Sequence, residues 1–452
     1  SGRGTLTTNP GCPDCGYRFT VGSGPADQVD ATYSIPAKSK SVFTIFCPNC
    51  AYRLPRELHD DHDNDAKEPP LRYGDRILVM KYLYLLHDPQ RWDVVVFKTP
   101  DPGNASGDYS TNYIKRLTGL PGESVMIAEG DLYVAPPGAD SSKPESYIIQ
   151  TKPRPAQDAL WRIVYDGDYV PTGKSRDYEN RNGTDVNDKE NWKLPWGQTY
   201  GSGWNLDAKR RFAFDNPTGW GEIKFLADAN PNISSLTDFL AYDQSYRTDV
   251  PHGALDMFGL PGYGLATGGP YVTPVSDLKL NCVVDALEGD GTLQFMLGQG
   301  PDRFTAEFSA SKVRLTRKTS RGEAMLLGEA PLDVRWPMRV EFSNVDHRVS
   351  LSVNGSELLA TTPQQYAPNV AEVIGRIRNG EAPPIGYVQI MGDRVKTELS
   401  HVQLWRDVCY LDRGENRPAS ERDARRATAR DFPNNVATLG SKEFFVMGDN
   451  SC

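Results

Sequence analysis

No stretch of this chain is long and apolar enough to cross a bilayer as a helix. Such a helix needs about 20 predominantly apolar residues, and the best run, Ile77 to Leu86, is shorter and is broken by Lys81. Net positive charge is missing too. Fifty-nine acidic residues against 50 basic ones leave a formal charge of −9, and no basic face is evident for backbone phosphates, which argues against a nucleic-acid partner. Internal repeats and low-complexity tracts are absent. What remains, 38% hydrophobic and 24% charged residues, is the composition of a soluble globular protein. At 452 residues the chain exceeds one ordinary core, so two or three domains are expected. Ser1 and Cys452 fall at or within motif-like sequence, so both ends read as cut.

Cysteine is scarce but unevenly placed. Cys12-Pro13-Asp14-Cys15 and Cys47-Pro48-Asn49-Cys50 are two near-identical knuckles, whereas Cys282, Cys409 and Cys452 are scattered. Two CxxC pairs have the spacing of a closed tetrahedral Zn²⁺ site, with four thiolates leaving no position for substrate water. The metal expected at Cys12, Cys15, Cys47 and Cys50 is therefore structural, a zinc ribbon with a stapling or protein-contact role. Two disulfides or free thiols are the competing state in an oxidising compartment. Cys282 lies in an alternating strand-like run and reads as a buried small hydrophobe. A Cys282–Cys409 disulfide is the other reading, which sequence separation alone leaves open.

The acidic stretch from Glu57 to Glu68 holds His59 and His62 and reads as a solvated linker, not a metal site. From Tyr73 the pattern changes. Gly74 to Lys81 reads as a turn entering a strand, Asp93 to Phe97 as a buried strand, and Val125 to Val134 as a hairpin turning at Gly130-Asp131. With no convincing amphipathic helix among them, they predict an antiparallel β core. Further on, Leu293 to Leu297, Phe304 to Val313, Arg339 to Phe342, Val349 to Val353 and Val402 to Trp405 give short strands divided by turns such as Asn354-Gly355, the spacing of a β-sandwich. Trp192, Trp196, Trp204 and Trp220 cluster ahead of it. Aromatic residues can stack on sugars, but filling a core or interface is their commoner use and is favoured here. Asp285, Asp290 and Asp333 have no ligand spacing that supports a calcium site.

A serine hydroxyl is a poor nucleophile at neutral pH, and a lysine can act as its base only after losing a proton. Burial promotes that loss by penalising the ammonium, and a three-unit shift from about 10.4 corresponds to about 4 kcal/mol. Lys115 has apolar sequence neighbours suited to such a setting, Tyr113, Ile114, Leu117 and Leu120. Strand alternation would put Tyr113, Lys115 and Leu117 on one face, with Ile114 and Arg116 opposite. Taken alone, a lysine in a strand is usually a surface residue.

Four boxes in order change that reading. Gly74-Asp75-Arg76-Ile77-Leu78-Val79-Met80-Lys81, Arg91-Trp92-Asp93-Val94-Val95-Val96-Phe97, Tyr113-Ile114-Lys115-Arg116-Leu117-Thr118-Gly119-Leu120-Pro121-Gly122-Glu123 and Phe445-Val446-Met447-Gly448-Asp449-Asn450 resemble the consecutive boxes of bacterial type I signal peptidases, the serine-lysine S26 family. The resemblance implies that Lys115 is the general base and that the Gly448-Asp449-Asn450 segment packs beside the lysine strand. Arg116, Asp449 and Asn450 are structural residues near the site, Arg116 and Asp449 either as an ion pair or solvated. The family pattern Ser-Met-x-Pro-Thr-Leu is met in Ser1-Gly2-Arg3-Gly4-Thr5-Leu6 at the serine and at Thr-Leu, but the Met and Pro are missing. Ser1 is thus the candidate nucleophile, against a chain-terminal serine on a mobile segment. The segment Trp336 to Phe342 followed by Arg348 to Gly355 resembles concanavalin-like (laminin-G-like) jelly rolls.

The expected fold is mainly β, a small antiparallel protease core interrupted by two insertions. Residues 1–8 are the candidate nucleophile box, 9–72 the zinc ribbon and acidic linker, and 73–165 the core with the lysine. An irregular connection rich in Trp, Pro and Gly follows at 166–204, then the sandwich at 205–408 and the return to the core at 409–452. The resemblance implies an endopeptidase that removes signal peptides from exported preproteins. Its location would be the cell membrane, through segments outside this chain, with the catalytic domain on the extracytoplasmic side and no catalytic cofactor. The alternative is a degenerate scaffold displaying the sandwich for a glycan or protein ligand. A self-cleaving serine-lysine repressor of the cytosol would carry a DNA-binding domain, and the acidic charge argues against it.

Overall fold

The computed structural model describes residues 6–8, 11–19, 21–23, 44–45, 47–50, 72–73, 79–80, 82–98, 112–172, 192–207, 210–227, 229, 236, 246–247, 274–320, 322–333, 335–410, 429 and 432–449. The architecture is mainly β. Among the described residues, no helix is long and apolar enough to cross a membrane.

Two small antiparallel sheets form the protease-like part. In one, the lysine strand Asn112–Gly119 lies between Val94–Lys98 and the return strand Phe445–Met447. In the other, Ser124–Ala128 and Asp131–Ala135 pair as a hairpin, flanked by Ala437–Thr438 and Ile148–Ile149. The turn falls one residue earlier than the sequence predicts. Ala128 pairs with Asp131, so the loop is Glu129-Gly130, and positive φ at both, 53° and 95°, is what a two-residue type I′ turn demands.

Among the described residues, the large module is one connected sheet of 13 strands folded around an apolar core. Its organiser is the strand Gly386–Arg406, 21 residues long. One end pairs with Thr292–Gln299 and the other with Leu278–Glu288, while Arg211–Phe225 runs along its opposite edge. Alternation puts Phe295, Phe308, Phe342, Leu351 and Leu399 into the core, the pattern of facing sheets with one buried side each.

Three sequence expectations need correction here. The stretch 166–204 is not wholly irregular, because Trp196–Gly201 pairs with Arg211–Phe225. The sheet also begins before residue 205, since Arg162–Asp166 pairs with the Gly386–Arg406 strand. Gly, Asp and Pro between these short strands hide their period in the sequence. Phe304 to Val313 is two strands, Asp302–Phe308 and Lys312–Lys318, turned at the polar residues between them. The tryptophan cluster divides. Trp196 is buried, and Trp192 and Trp204 pack against the same core, whereas Trp220 is 46% exposed. Cys282 and Cys409 are both buried, and no disulfide joins them.

The module is seated on the protease part through packed surfaces. Its helix Val370–Arg378, capped by the Asn369 side chain accepting from the Glu372 amide, presents Val370, Val373 and Ile374 to Met126, Ala128 and Tyr133 of the hairpin. Arg376 adds a two-pronged ion pair to Glu129 in the turn, with both N–O distances 2.8 Å.

Candidate active site and cysteine centre

The lysine strand is held from both sides. Across Val94–Lys98 the register sets Val95 opposite Lys115 and Val94 opposite Arg116. Across the return strand, Phe445 meets Gly119, Val446 meets Leu117 and Met447 meets Arg116. Met447 thus lies alongside Arg116, the residue after Lys115. Arg116 is buried and donates to Asp449 through Nε to Oδ1 at 2.8 Å and Nη2 to Oδ2 at 2.7 Å. Its Nη1 reaches the Trp92 carbonyl at 2.9 Å. A planar guanidinium matched to a carboxylate in this way fixes orientation as well as separation. Gly119 permits the approach of the return strand. A Cβ there would stand 2.6 Å from Val125 Cγ2 and 2.8 Å from Phe445 Cβ.

Burial along the strand rises from one end to the other. Asn112, Tyr113 and Ile114 are exposed, Lys115 is half-buried, and Arg116 to Gly119 are buried. Of the apolar neighbours expected around the lysine, Leu117 is buried and Leu120 half-buried, while Tyr113 and Ile114 face outward. Tyr113 stacks instead on Phe97 from the neighbouring strand, centroids 6.3 Å apart. Ser1 and Asn450 lie outside the described residues, as do His59, His62 and Cys452. The strand Leu6–Thr8, the last part of the candidate nucleophile box, pairs with Arg72–Tyr73, with Leu6 opposite Tyr73.

The four knuckle cysteines meet in one buried centre, their sulfurs all within 4.8 Å of one another. Sulfur separations of 3.7 Å for both Cys12–Cys50 and Cys15–Cys47 are far beyond a disulfide bond and match the edge of about 3.8 Å that a tetrahedron with Zn–S of about 2.3 Å requires. The amides of Cys15 and Tyr17 point at the sulfurs of Cys12 and Cys15, both at 3.5 Å. Thiols this close shift one another's protons. Contact with Cys15 pulls Cys12 below the ordinary thiol range, while burial pushes Cys47 above it. The knuckles also dock within the chain. Asn49 accepts from the Asp166 amide and donates to the Tyr169 carbonyl, and Asp14 accepts from Thr172.

Sequence reasoning missed a second charged centre. Lys152 is buried, its ammonium paired with Asp346 and, at 2.7 Å, with Asp407. Asp131, Asp277 and Asp346 each place a carboxylate oxygen within 4.8 Å of the others. Four acids around one ammonium cannot all be ionised cheaply in a dry interior. Burial, reinforced by Asp346 and Asp407, pushes Asp277 up to about 8, and burial with the Asp277 charge raises Asp131 as well. No motif announces these residues, because Lys152 and Asp346 are 194 positions apart.

Comparison with known proteins adds the following. The model of the family described as "Signal peptidase, peptidase S26" matches residues 61–207, a span that contains the lysine strand and ends long before the return strand. "Probable signal peptidase I-2" of Synechocystis is 34% identical over 113 residues, covering 25% of this chain and 48% of that protein. "Probable signal peptidase I-1" of the same organism is 30% identical over 164 residues, 35% of this chain and 72% of that protein. "Signal peptidase I" of Pseudomonas aeruginosa is 41% identical over 82 residues, 15% of this chain and 27% of that protein. The chain thus spans about half of the first of these relatives and 72% of the second. Among solved structures, a carbohydrate-binding module from Bacillus subtilis is matched over 46% of this chain and 94% of its own, at 10% identity and a TM-score of 0.27. Likeness of that size carries no argument about ligand or fold.

Proposed function

This chain belongs to the signal peptidase I family, peptidase S26, and from that premise we propose that it is a serine endopeptidase that removes signal peptides from exported preproteins. One observation carries the reading. Three strands from distant parts of the sequence are registered so that Val95 stands opposite Lys115 and Met447 opposite Arg116, with the Arg116–Asp449 pair closing the assembly one residue from the lysine.

In this reading the Lys115 amine takes the proton of the Ser1 hydroxyl as the oxygen attacks the scissile carbonyl. An acyl-enzyme forms on the signal peptide, the amine passes the proton to the leaving nitrogen as the mature chain departs, and water, activated by the same amine, then hydrolyses the ester and releases the signal peptide. Arg116 and Asp449 act on the strand and not on the substrate. Asn450 belongs to the same supporting segment. The enzyme would work at the cell membrane, on its extracytoplasmic side, held there by segments other than those described.

The cysteine centre is read as a structural Zn²⁺ site, with Cys12, Cys15, Cys47 and Cys50 as its ligands. The sulfur spacing and the inward-pointing amides support it. Bound there, the ion would neutralise four crowded thiolates and fix the two knuckles.

The test is cleavage of a fluorogenic signal-peptide substrate by the full-length protein and its Lys115→Ala variant. Activity is expected to fall at least a hundredfold, the scale of a lost general base. Equal rates would remove Lys115 from the mechanism.

A further inference from the structure

Lys152 stands at the seam between the protease part and the large module. It follows the short strand Ile148–Ile149 and precedes the helix Arg154–Leu160, while its carboxylate partners belong to the module. Asp346 sits in the turn after Met338–Val345, with φ of 47°, and Asp407 directly follows Gly386–Arg406. The grip is on the backbone too. Lys152 N–H donates to Asp346 Oδ2 at 2.8 Å, and the Asp346 amide donates to Asp277 Oδ2 at 2.7 Å. Gln157 ties down the Lys152 carbonyl at 2.7 Å.

The held ammonium has a second contact surface. It lies 5.5 Å from the centroid of the Trp92 ring and 5.6 Å from that of Tyr410. A desolvated cation is attracted by the electron-rich face of an indole. Trp92 is itself in an unusual state, with φ of 76° in the left-handed region. For a bulky residue this conformation is strained and persists only where the surroundings enforce it. Its backbone grips the lysine strand at two points. Trp92 N–H donates to the Leu117 carbonyl at 2.7 Å, and its carbonyl accepts from Arg116 Nη1 at 2.9 Å. Next to it, Leu117 N–H returns to the Asp93 carbonyl at 2.8 Å.

We propose that Lys152 is a positioning residue for the catalytic strand: fastened by Asp346 and Asp407 of the module, it holds Trp92 in its strained conformation, and Trp92 in turn fixes the strand that carries Lys115 through its bonds to Arg116 and Leu117. The large module is then a working part of the protease site and not a passenger. The proposal rests on the reading of Lys115 as the base.

Lys152→Met alone leaves buried carboxylates without their cation and can fail to fold, so the informative variant is Lys152→Met with Asp346→Asn in the full chain, alongside Lys152→Met with Asp407→Asn. Two measurements apply, steady-state cleavage and backbone hydrogen exchange. For a folded double variant the expectation is a fall in kcat of roughly tenfold to a hundredfold, as sub-ångström misplacement produces, with KM within about twofold. Exchange should quicken in 92–98 and 112–119 and stay unchanged in 292–299. If both double variants fail to fold, Trp92→Phe, which retains an aromatic face, should preserve kcat within about threefold, whereas Trp92→Leu should reproduce the kcat loss. Unchanged kcat and exchange in a double variant, or exchange rising equally across the module, would overturn the proposal, as would equal kcat for Trp92→Phe and Trp92→Leu. The exchange arm does not depend on catalysis, so an active Lys115→Ala variant would sink the dyad while that arm still reports whether Lys152 holds the strand.

Discussion

Arg116 and Asp449 are 333 positions apart in the chain and meet through two nearly parallel N–H···O bonds of 2.8 and 2.7 Å. The pair is mostly shielded, with the arginine side chain 5% and the aspartate 22% exposed. A clasp of this kind closes the three-stranded sheet. Removing one partner leaves the other charge stranded in a partly dry setting, a loss that exceeds the worth of an exposed pair.

Arg116→Met should therefore destabilise the protein by about 3 kcal/mol, read by chemical denaturation. Asp449→Asn should cost less, because the amide oxygen still accepts one of the two bonds. A double-mutant cycle that finds no coupling between the positions would mean the clasp contributes nothing.

Gly119→Ala introduces a methyl group where Val125, Leu439 and Phe445 already converge, each within 2.9 Å of the added carbon. The lysine strand and its return partner must separate to admit it. We expect a stability loss of about 1–3 kcal/mol and a larger proportional loss of cleavage. A variant with unaltered melting and activity would show that strand contact to be slack.

Zinc content is a direct count. The purified chain should carry one Zn²⁺ and lose it when Cys12 or Cys47 becomes serine. Trp192 packs against the cysteine cluster, so metal removal by chelator should also change tryptophan emission. Recovery of all four cysteines as two disulfides in the native protein would refute the site.

The Asp277 proton predicts a pH slope. Its folded-state value near 8, against 3.8 for an ordinary aspartate, means that the native chain holds a proton the unfolded chain has released. The corresponding stability is present below about pH 4 and is lost as pH rises toward 8. Lys152, Asp131, Asp346 and Asp407 all face this group. Asp277→Asn keeps an acceptor for the Asp346 amide and should flatten the decline in melting temperature between about pH 5 and about pH 8. An identical slope in the variant would assign the dependence elsewhere.

The protease boxes and the knuckles were legible because their chemistry is local. Residues at fixed offsets make a CxxC turn, a continuous apolar run marks Val94–Lys98 as a strand, and alternation marks Arg348–Val353 as another. The strands Arg162–Asp166 and Trp196–Gly201 escaped because their stability comes from pairing with residues far along the chain. The Lys152 centre escaped for a stronger reason. A lysine beside two prolines carries no sign of burial, and its four acids lie in separate turns and strand ends that only the folded topology brings together. Around Lys115 the sequence suggested apolar cover from Tyr113 and Ile114, but pleat and strand position turn both outward.

The long strand Gly386–Arg406 leads directly into Asp407, and the partner of Gly119 is Phe445. On a ribosome, the lysine strand therefore emerges long before its third strand exists. At ordinary synthesis rates the interval is on the order of tens of seconds, during which the whole inserted module is made. No nascent chain that stops short of Asp449 can close the Arg116 clasp, so the order of translation itself withholds a finished site until the module has been completed.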